Sequence, residues 1–350
     1  MVEMSIYNEI CGVIHVHFPL KKGKYYIPFI ANEGKKAGLD FVILTSHTPK
    51  KKWKYRDLFK FEGYYDDLLI IKGEEIDERK KNHLIIIGEK KWTNETIERI
   101  LKREDLVKLV AHPYGKHRLF FVKKNYSWKR WKENFDGIEV WSLLFQWADK
   151  TRIYNVPVRY LKFPYNVDVP EKIILEKWDK LNSERKVIGF AGLDIHSLPF
   201  YFRVFDFRRS FRYKNVFKTL RNHIYLKEKL TGDFQIDKEK VLNAIRNGNL
   251  FFANDFLNDS CGFYFGEKYG KYLSGEEGKI GDIILIRNPV SAKTKLLRNG
   301  RVIEEGTIKE KEIKIEKEGN YRVEVYWNDK NWIFSNYIYI KGEKNGEEKI

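Results

Sequence analysis

Residues 11–20 read CGVIHVHFPL and set two histidines, His15 and His17, inside an otherwise apolar run. The β-branched character of the run predicts a strand. Alternate side chains of a strand share a face, so the two imidazoles are expected to point the same way. Side by side they fill a core poorly, because each buried ring nitrogen needs a partner. A half-exposed surface strand would also accommodate them, and the rest of the chain decides between the two.

Similar runs recur outward from this one: FVILTS (41–46), LLIIKG (68–73), HLIIIG (83–88), LVKLVAH (106–112), GIEVWS (137–142) and VIGFAGLD (187–194). With GVIHVH (12–17) they make seven candidate strands, several apolar throughout, as strands buried on both faces are. Helical patterns lie between many of them, at 27–39, at 93–104 with a Thr/Asn cap region, and at 170–184 opening on a proline. Such alternation predicts an α/β sheet or barrel. The segment 143–168 is long and irregular and reads as a lid or site-lining loop. After about residue 250 the texture changes. LLRNGRVI (296–303) carries a two-residue hairpin signal, and NYRVEVYW (320–327) and WIFSNYIYI (332–340) are strand-like. The expected organisation is therefore an α/β domain over 1–250, a small all-β, sandwich-like domain over 251–342, and a charged tail at 343–350.

A chain of 350 residues suits two domains. No run approaches the ~20 apolar residues of a membrane span, and the first ten residues lack the layout of a signal peptide. A soluble cytoplasmic protein is expected. The only cysteines, Cys11 and Cys261, are far apart, which suggests neither a disulfide framework nor a C-x-x-C metal site. The formal charge of +17 raises the question of nucleic acid, yet acidic residues are plentiful and the Lys/Glu/Ile-rich composition equally fits a thermophile. Part of the excess is local: residues 197–230 carry nine Lys/Arg against two acids, interleaved with aromatics. A solvated helical face is the first reading of that stretch and a phosphate-facing surface the second.

Six of the eight histidines sit in or beside the candidate strands: His15, His17, His47 in LTSH, His83, His112 in VAHP and His196 in GLDIH. Asp40, Glu75, Glu139 and Asp194 stand at comparable places. In α/β barrels a site is assembled from separate strands at the C-terminal mouth. Imidazole with carboxylate suits Zn, Mn or Fe, and the lack of thiolates in the set argues against a structural zinc finger.

In this order HVH, GLDFVILTSH, GEE, HLIIIG, VAHP and GLDIH resemble the motifs of the PHP (polymerase and histidinol phosphatase) superfamily of metal-dependent hydrolases, over residues 12–196. The C-terminal strands are similar to the β-sandwich that follows the barrel in carbaryl-hydrolase-like members. The resemblance implies a distorted (β/α)7 barrel. It also implies a first metal on His15, His17, Glu75 and Asp194, with Glu75 bridging to a second metal on His83 and His112. A third metal, where the family has one, would use His47 and His196 with an acid or imidazole just after the H-x-H. Here FPLKKGK follows His17, and Ser46 stands where the family has an acid. Two divalent ions are therefore expected, with Lys22 or Lys24 supplying charge where a third would sit.

The expected nucleophile is a metal-bound hydroxide, and no serine- or cysteine-nucleophile motif competes with it. Asp40 and Glu139 are candidates for orienting a ligand histidine or moving protons. His117, Arg118 and the lysines of KKGK are candidates for holding an anionic substrate. The leading expectation is a phosphoesterase acting on a small phosphomonoester or nucleotide. The alternatives are an amide or carbamate ester hydrolase with the same centre, and a nucleic-acid-binding protein with an auxiliary metal site. The oligomeric state stays open.

Overall fold

The computed structural model describes residues 7–78, 81–117, 124–152, 154–196 and 213–342. Seven strands form a closed ring: β1 (Asn8–Val16), β2 (Phe41–Leu44), β3 (Leu68–Glu78), β4 (Lys81–Ile87), β5 (Val107–Val110), β6 (Gly137–Ser142) and β7 (Ile188–Ile195). They correspond to the seven apolar runs. β1–β2–β3 are parallel, β4 is antiparallel to both β3 and β5, and β5–β6–β7 are parallel. The parallel pairing of β7 with β1 closes the barrel. Only two residues separate β3 from β4, and a connection that short permits a hairpin, not a crossover. The reversal has a functional consequence, because it brings the first residues of β4, His83 among them, to the end of the barrel where β3 finishes.

Helices cover the barrel. In α1 (Gly23–Lys36) the buried residues Ile27, Ile30, Ala31 and Gly34 recur at helical spacing and form the inward stripe. The pattern at 93–104 is a single short helix, Ile97–Leu101, capped by Thr96. The segment 143–168, expected to be irregular, instead holds two helices, α2 (Leu143–Lys150) and α3 (Val156–Leu161). Its short amphipathic turns, interrupted at Thr151, hide the period from a long window. The pattern at 170–184 is α4 (Lys172–Glu184). A further helix, α5 (Phe234–Asn247), opens on Asp233, whose carboxylate accepts the amides of Gln235 and Ile236, and ends on Gly248 at φ 74°.

β8 (Leu220–Leu226) pairs antiparallel with the first half of β1, and β9 (Leu250–Asn254) with β8. β8 stands where the first reading of 197–230 expects a helical face, so over 220–226 that reading gives way to a strand. Its alternating side chains are covered on both sides, and Arg221 is spent on the carbonyls of Phe217 and Ala37 and on Asp255. Residues 197–212 lie outside the described residues.

The C-terminal strands are mostly antiparallel: β10 (Ile283–Arg298), β11 (Arg301–Lys314), β12 (Gly319–Trp327) and β13 (Lys330–Ser335). Asn299 and Gly300, both at positive φ, make the turn between β10 and β11. These strands enclose a second core around Phe265, Ile286, Val323 and Trp332. The expected boundary at 250/251 falls within β9, where Leu250 and Phe252 face the barrel core and Phe251 and Ala253 face the second. Asn336 fastens the two, accepting the amide of Gly189 at 2.7 Å and donating to the carbonyls of Gly189 and Leu250. Among the described residues no helix is long and apolar enough to cross a membrane.

One buried charge in the barrel has a measurable cost. The Lys72 ammonium is fully buried, 3.8 Å above the Trp92 ring and 4.2 Å above Phe59, with no hydrogen-bond acceptor. Burial pulls its pKa from 10.5 down to about 7 against the pull of Glu74 and Glu62. Below about pH 7 the ammonium is present in both folded and unfolded chains, and the fold bears the whole cost of burying it. As pH rises toward 10.5 the folded chain holds the neutral amine while the unfolded chain is still charged, so that cost fades. Lys72→Met is expected to be more stable than the parent by about 1–3 kcal/mol at pH 6.5, the cation–π contacts offsetting the rest, with the gain shrinking by pH 9.5. Urea unfolding at the two pH values measures it, and a methionine variant less stable at both would show the aromatic cage to stabilise the ammonium outright.

Candidate metal centre

The six strand-end histidines and two carboxylates converge on one cluster, buried except for His47 and His196 at its solvent side. Its centre is Glu75, 1% exposed, whose two carboxylate oxygens face different imidazoles. Oε1 lies 2.6 Å from His83 Nδ1 and 3.3 Å from His112 Nε2. Oε2 lies 3.0 Å from His47 Nδ1, 3.2 Å from His17 Nε2 and 3.6 Å from His15 Nε2. Asp194 Oδ1 completes the second group, 3.5 Å from His15 Nε2, 3.4 Å from His17 Nε2 and 3.4 Å from His196 Nδ1.

The backbone that aims these side chains is not regular. His15 sits at φ 67°, Asp194 at φ 47° and His112 at φ 27°. Left-handed conformations are uncommon for residues other than glycine and persist where the surroundings enforce them. The register of β1 against β2 slips by one residue between Val13 and Val16, and that of β7 against β1 between Gly192 and Ile195. His15 and Asp194 therefore occupy bulges. Simple alternation, the basis for expecting His15 and His17 on one face, is replaced by a bulge at His15 with His17 just past the strand end; their rings still lie 5.1 Å apart.

A second layer holds the first. Glu139 Oε2 accepts from His15 Nδ1 at 2.9 Å and from the backbone amide of His112 at 2.9 Å. It thereby leaves Nε2 of His15 free to face Glu75 and Asp194. Gly192 makes room for that carboxylate, since a Cβ there would come within 2.3 Å of Glu139 Oε1. Phe145, on α2, stacks on His112 with ring centres 4.4 Å apart, and Tyr126 meets His83 edge-on at 5.2 Å. Neither aromatic carried a signal in the sequence beyond lying in a segment expected to line a site or just past VAHP. Ser46 bonds the backbone of Phe18 through its hydroxyl.

Charge within the cluster is tightly opposed. Burial disfavours ionised Glu75, yet His47 and His15 outweigh it and hold the carboxyl well below its usual range. Burial likewise opposes charge on His15, but Glu139, Asp194 and Glu75 raise its pKa well above 6.5. His196 goes the other way, to about 4, through burial and the neighbouring His17.

Of the remaining expected site residues, one lies at the other end of the barrel. Asp40 precedes β2 at its N-terminal end, a strand length from His47, and accepts the amide of Cys11 at 2.7 Å. It is a clamp between strands at the far end of the barrel. The expectation failed because GLDF places an acid beside a strand without saying at which end it works. Lys22 and Lys24 are exposed at the start of α1, and Lys24 acts on Asp57. His117 belongs to a two-residue strand, Lys116–His117, and Arg118 lies outside the described residues.

The donor set fits divalent cations. Nε2 of His15 and of His17, which face Glu75 and Asp194, and Oε2 of Glu75 are buried without a hydrogen-bond partner, and buried polar atoms are rarely left so. Trios of ligand atoms from His15, His17 and Glu75, from His15, His112 and Asp194, and from His17, His47 and His196 each lie within 4.8 Å of one another. No family model matches the chain, and no curated protein does. Among solved structures it is similar to a two-domain protein containing a predicted PHP-like metal-dependent phosphoesterase from Bacteroides vulgatus, at 14% identity and a TM-score of 0.44 over 95% of this chain and 96% of that one.

Proposed function

We propose that this protein is a metal-dependent hydrolase, and most concretely a phosphoesterase acting on a small phosphomonoester or nucleotide. The observation that carries the reading is the division of Glu75, one oxygen toward His83 and His112 and the other toward His15, His17 and His47. A carboxylate so placed suits a bridge between two cations. His15, His17 and Asp194 would hold one, His83 and His112 the other, with Glu75 shared. Zinc, manganese or iron would each suit the donors. Bound there, such cations would make water acidic enough to attack at neutral pH and would neutralise a phosphoester's oxygens.

The chain's own residues do the rest. Glu139 fixes the ring of His15 and the backbone of His112, and Phe145 excludes water from one face of the His112 ring. His47 and His196, each 46% exposed at the side chain, stand at the solvent side, where a substrate would arrive. We place the chemistry within residues 1–250 and a bracing role in 251–342, through Asn336 and the pair of Arg322 with Asp179 at 2.8 Å.

Purified protein assayed with p-nitrophenyl phosphate, bis-p-nitrophenyl phosphate and a naphthyl carbamate tests the substrate class. The expected result is hydrolysis of the monoester, lost on chelation and restored by manganese or zinc. Turnover of the carbamate alone would make the amide or carbamate hydrolase the right reading.

A further inference from the structure

A second group of ligand-type side chains lies outside this cluster, where the barrel meets the C-terminal strands. His223 in β8 is completely buried, and three donor atoms converge on its Nε2: Asp255 Oδ2 at 2.9 Å, Ser260 Oγ at 3.0 Å and Cys11 Sγ at 3.7 Å. Ser260 Oγ itself donates to Asp255 Oδ1 at 2.5 Å, and the ligand atoms of Cys11, His223 and Asp255 lie within 4.8 Å of one another, a spacing that the ligands of one cation share. On the other side of the ring, Nδ1 meets Glu9 Oε1 at 2.7 Å. A carboxylate on the far nitrogen is the usual partner of a metal-ligating histidine, because it fixes the tautomer and the ring orientation. Cys261, the chain's other cysteine, also lies within ligand distance of the Glu9–His223 pair. Both thiols of a 350-residue chain thus gather round one buried histidine.

We propose that Cys11, His223 and Asp255 form a second, structural zinc site. Tetrahedral zinc, with Zn–S of about 2.3 Å and Zn–N of about 2.0 Å, sets sulfur and nitrogen about 3.5 Å apart, close to the 3.7 Å between Cys11 and His223. The carboxylate of Asp255 has to withdraw from Nε2 by roughly half an ångström to reach the same geometry. Ser260 or a water completes the fourth position. Charge closes as well: the Cys11 thiol gives up its proton on binding, so thiolate and Asp255 neutralise the ion, while Arg221 beside Asp255 balances Glu9. The three ligands come from β1, β8 and the loop after β9, so the ion would staple the start of the C-terminal strands to the barrel.

The first centre contains no sulfur, which makes the test selective. Cobalt(II)-substituted protein is expected to show a thiolate-to-cobalt charge-transfer band of one equivalent. The band should vanish in Cys11→Ser, persist in Cys261→Ser, and persist in Glu75→Gln, whose loss touches only the first centre. In the Glu75→Gln background zinc is expected to raise the unfolding temperature, and adding Cys11→Ser is expected to reduce that rise, since only the second site contains sulfur. No charge-transfer band in the unmutated protein overturns the proposal, leaving His223 as an imidazolium between Glu9 and Asp255, and that result needs no variant to fold. A band that survives Cys11→Ser, or disappears with Cys261→Ser, overturns the ligand assignment.

Discussion

Glu75→Gln is expected to lower hydrolytic activity by about 10³-fold, some 4 kcal/mol of transition-state stabilisation, and to cut manganese bound at the cluster from two ions to one or none. The reason lies in the two oxygens. Glu75 turns Oε1 to His83 and His112 and Oε2 to His15, His17 and His47. Glutamine keeps the shape but offers one acceptor oxygen and no charge, so it faces one group of imidazoles with an oxygen and the other with an NH2. Equilibrium dialysis against manganese, a metal that thiolates do not favour, counts the ions at this cluster alone. A variant that retains both ions and most of its activity would remove Glu75 from the centre of the mechanism.

The second large effect is expected one layer out. Glu139→Gln should cost 10–100-fold in metal affinity or activity, although Glu139 faces no predicted ion directly. Its Oε2 accepts from both His15 Nδ1 and the His112 amide, so one carboxylate orients a side chain in one half of the cluster and a backbone in the other. Gly192→Ala is expected to act through the same group, because the added methyl would occupy the space of Oε1. Asp40→Asn serves as the control: it weakens a clamp on Cys11 at the other end of β2 and should leave manganese affinity within about twofold, since surface-like polar losses away from a site act on stability. Equal losses in Asp40→Asn and Glu139→Gln would mean that general destabilisation, not orientation of His15, explains the effect.

How far the sequence could be read follows from the range of the forces involved. The seven barrel strands are legible because strands buried on both faces must be apolar throughout, a local signal. The ligand candidates are legible because imidazoles at successive strand ends are expensive to bury for any other reason. The bulges at His15 and Asp194 are not legible, since they arise from register between β1, β2 and β7, which lie up to about 180 residues apart. For the same reason Phe145 could be placed only in a site-lining segment and not on the face of His112. Asp40 shows the opposite failure: its place beside a motif says nothing of the barrel end at which it lies. The group around His223 joins positions 11, 223 and 255, and no local pattern reports it.

The most direct measurement is anomalous scattering from crystals grown with manganese. The expected map holds two peaks about 3.5–4 Å apart on either side of the Glu75 carboxylate, one among His15, His17 and Asp194 and the other between His83 and His112. A map with no peak at Glu75, or with manganese held only elsewhere, would contradict the metal centre and the hydrolase built on it.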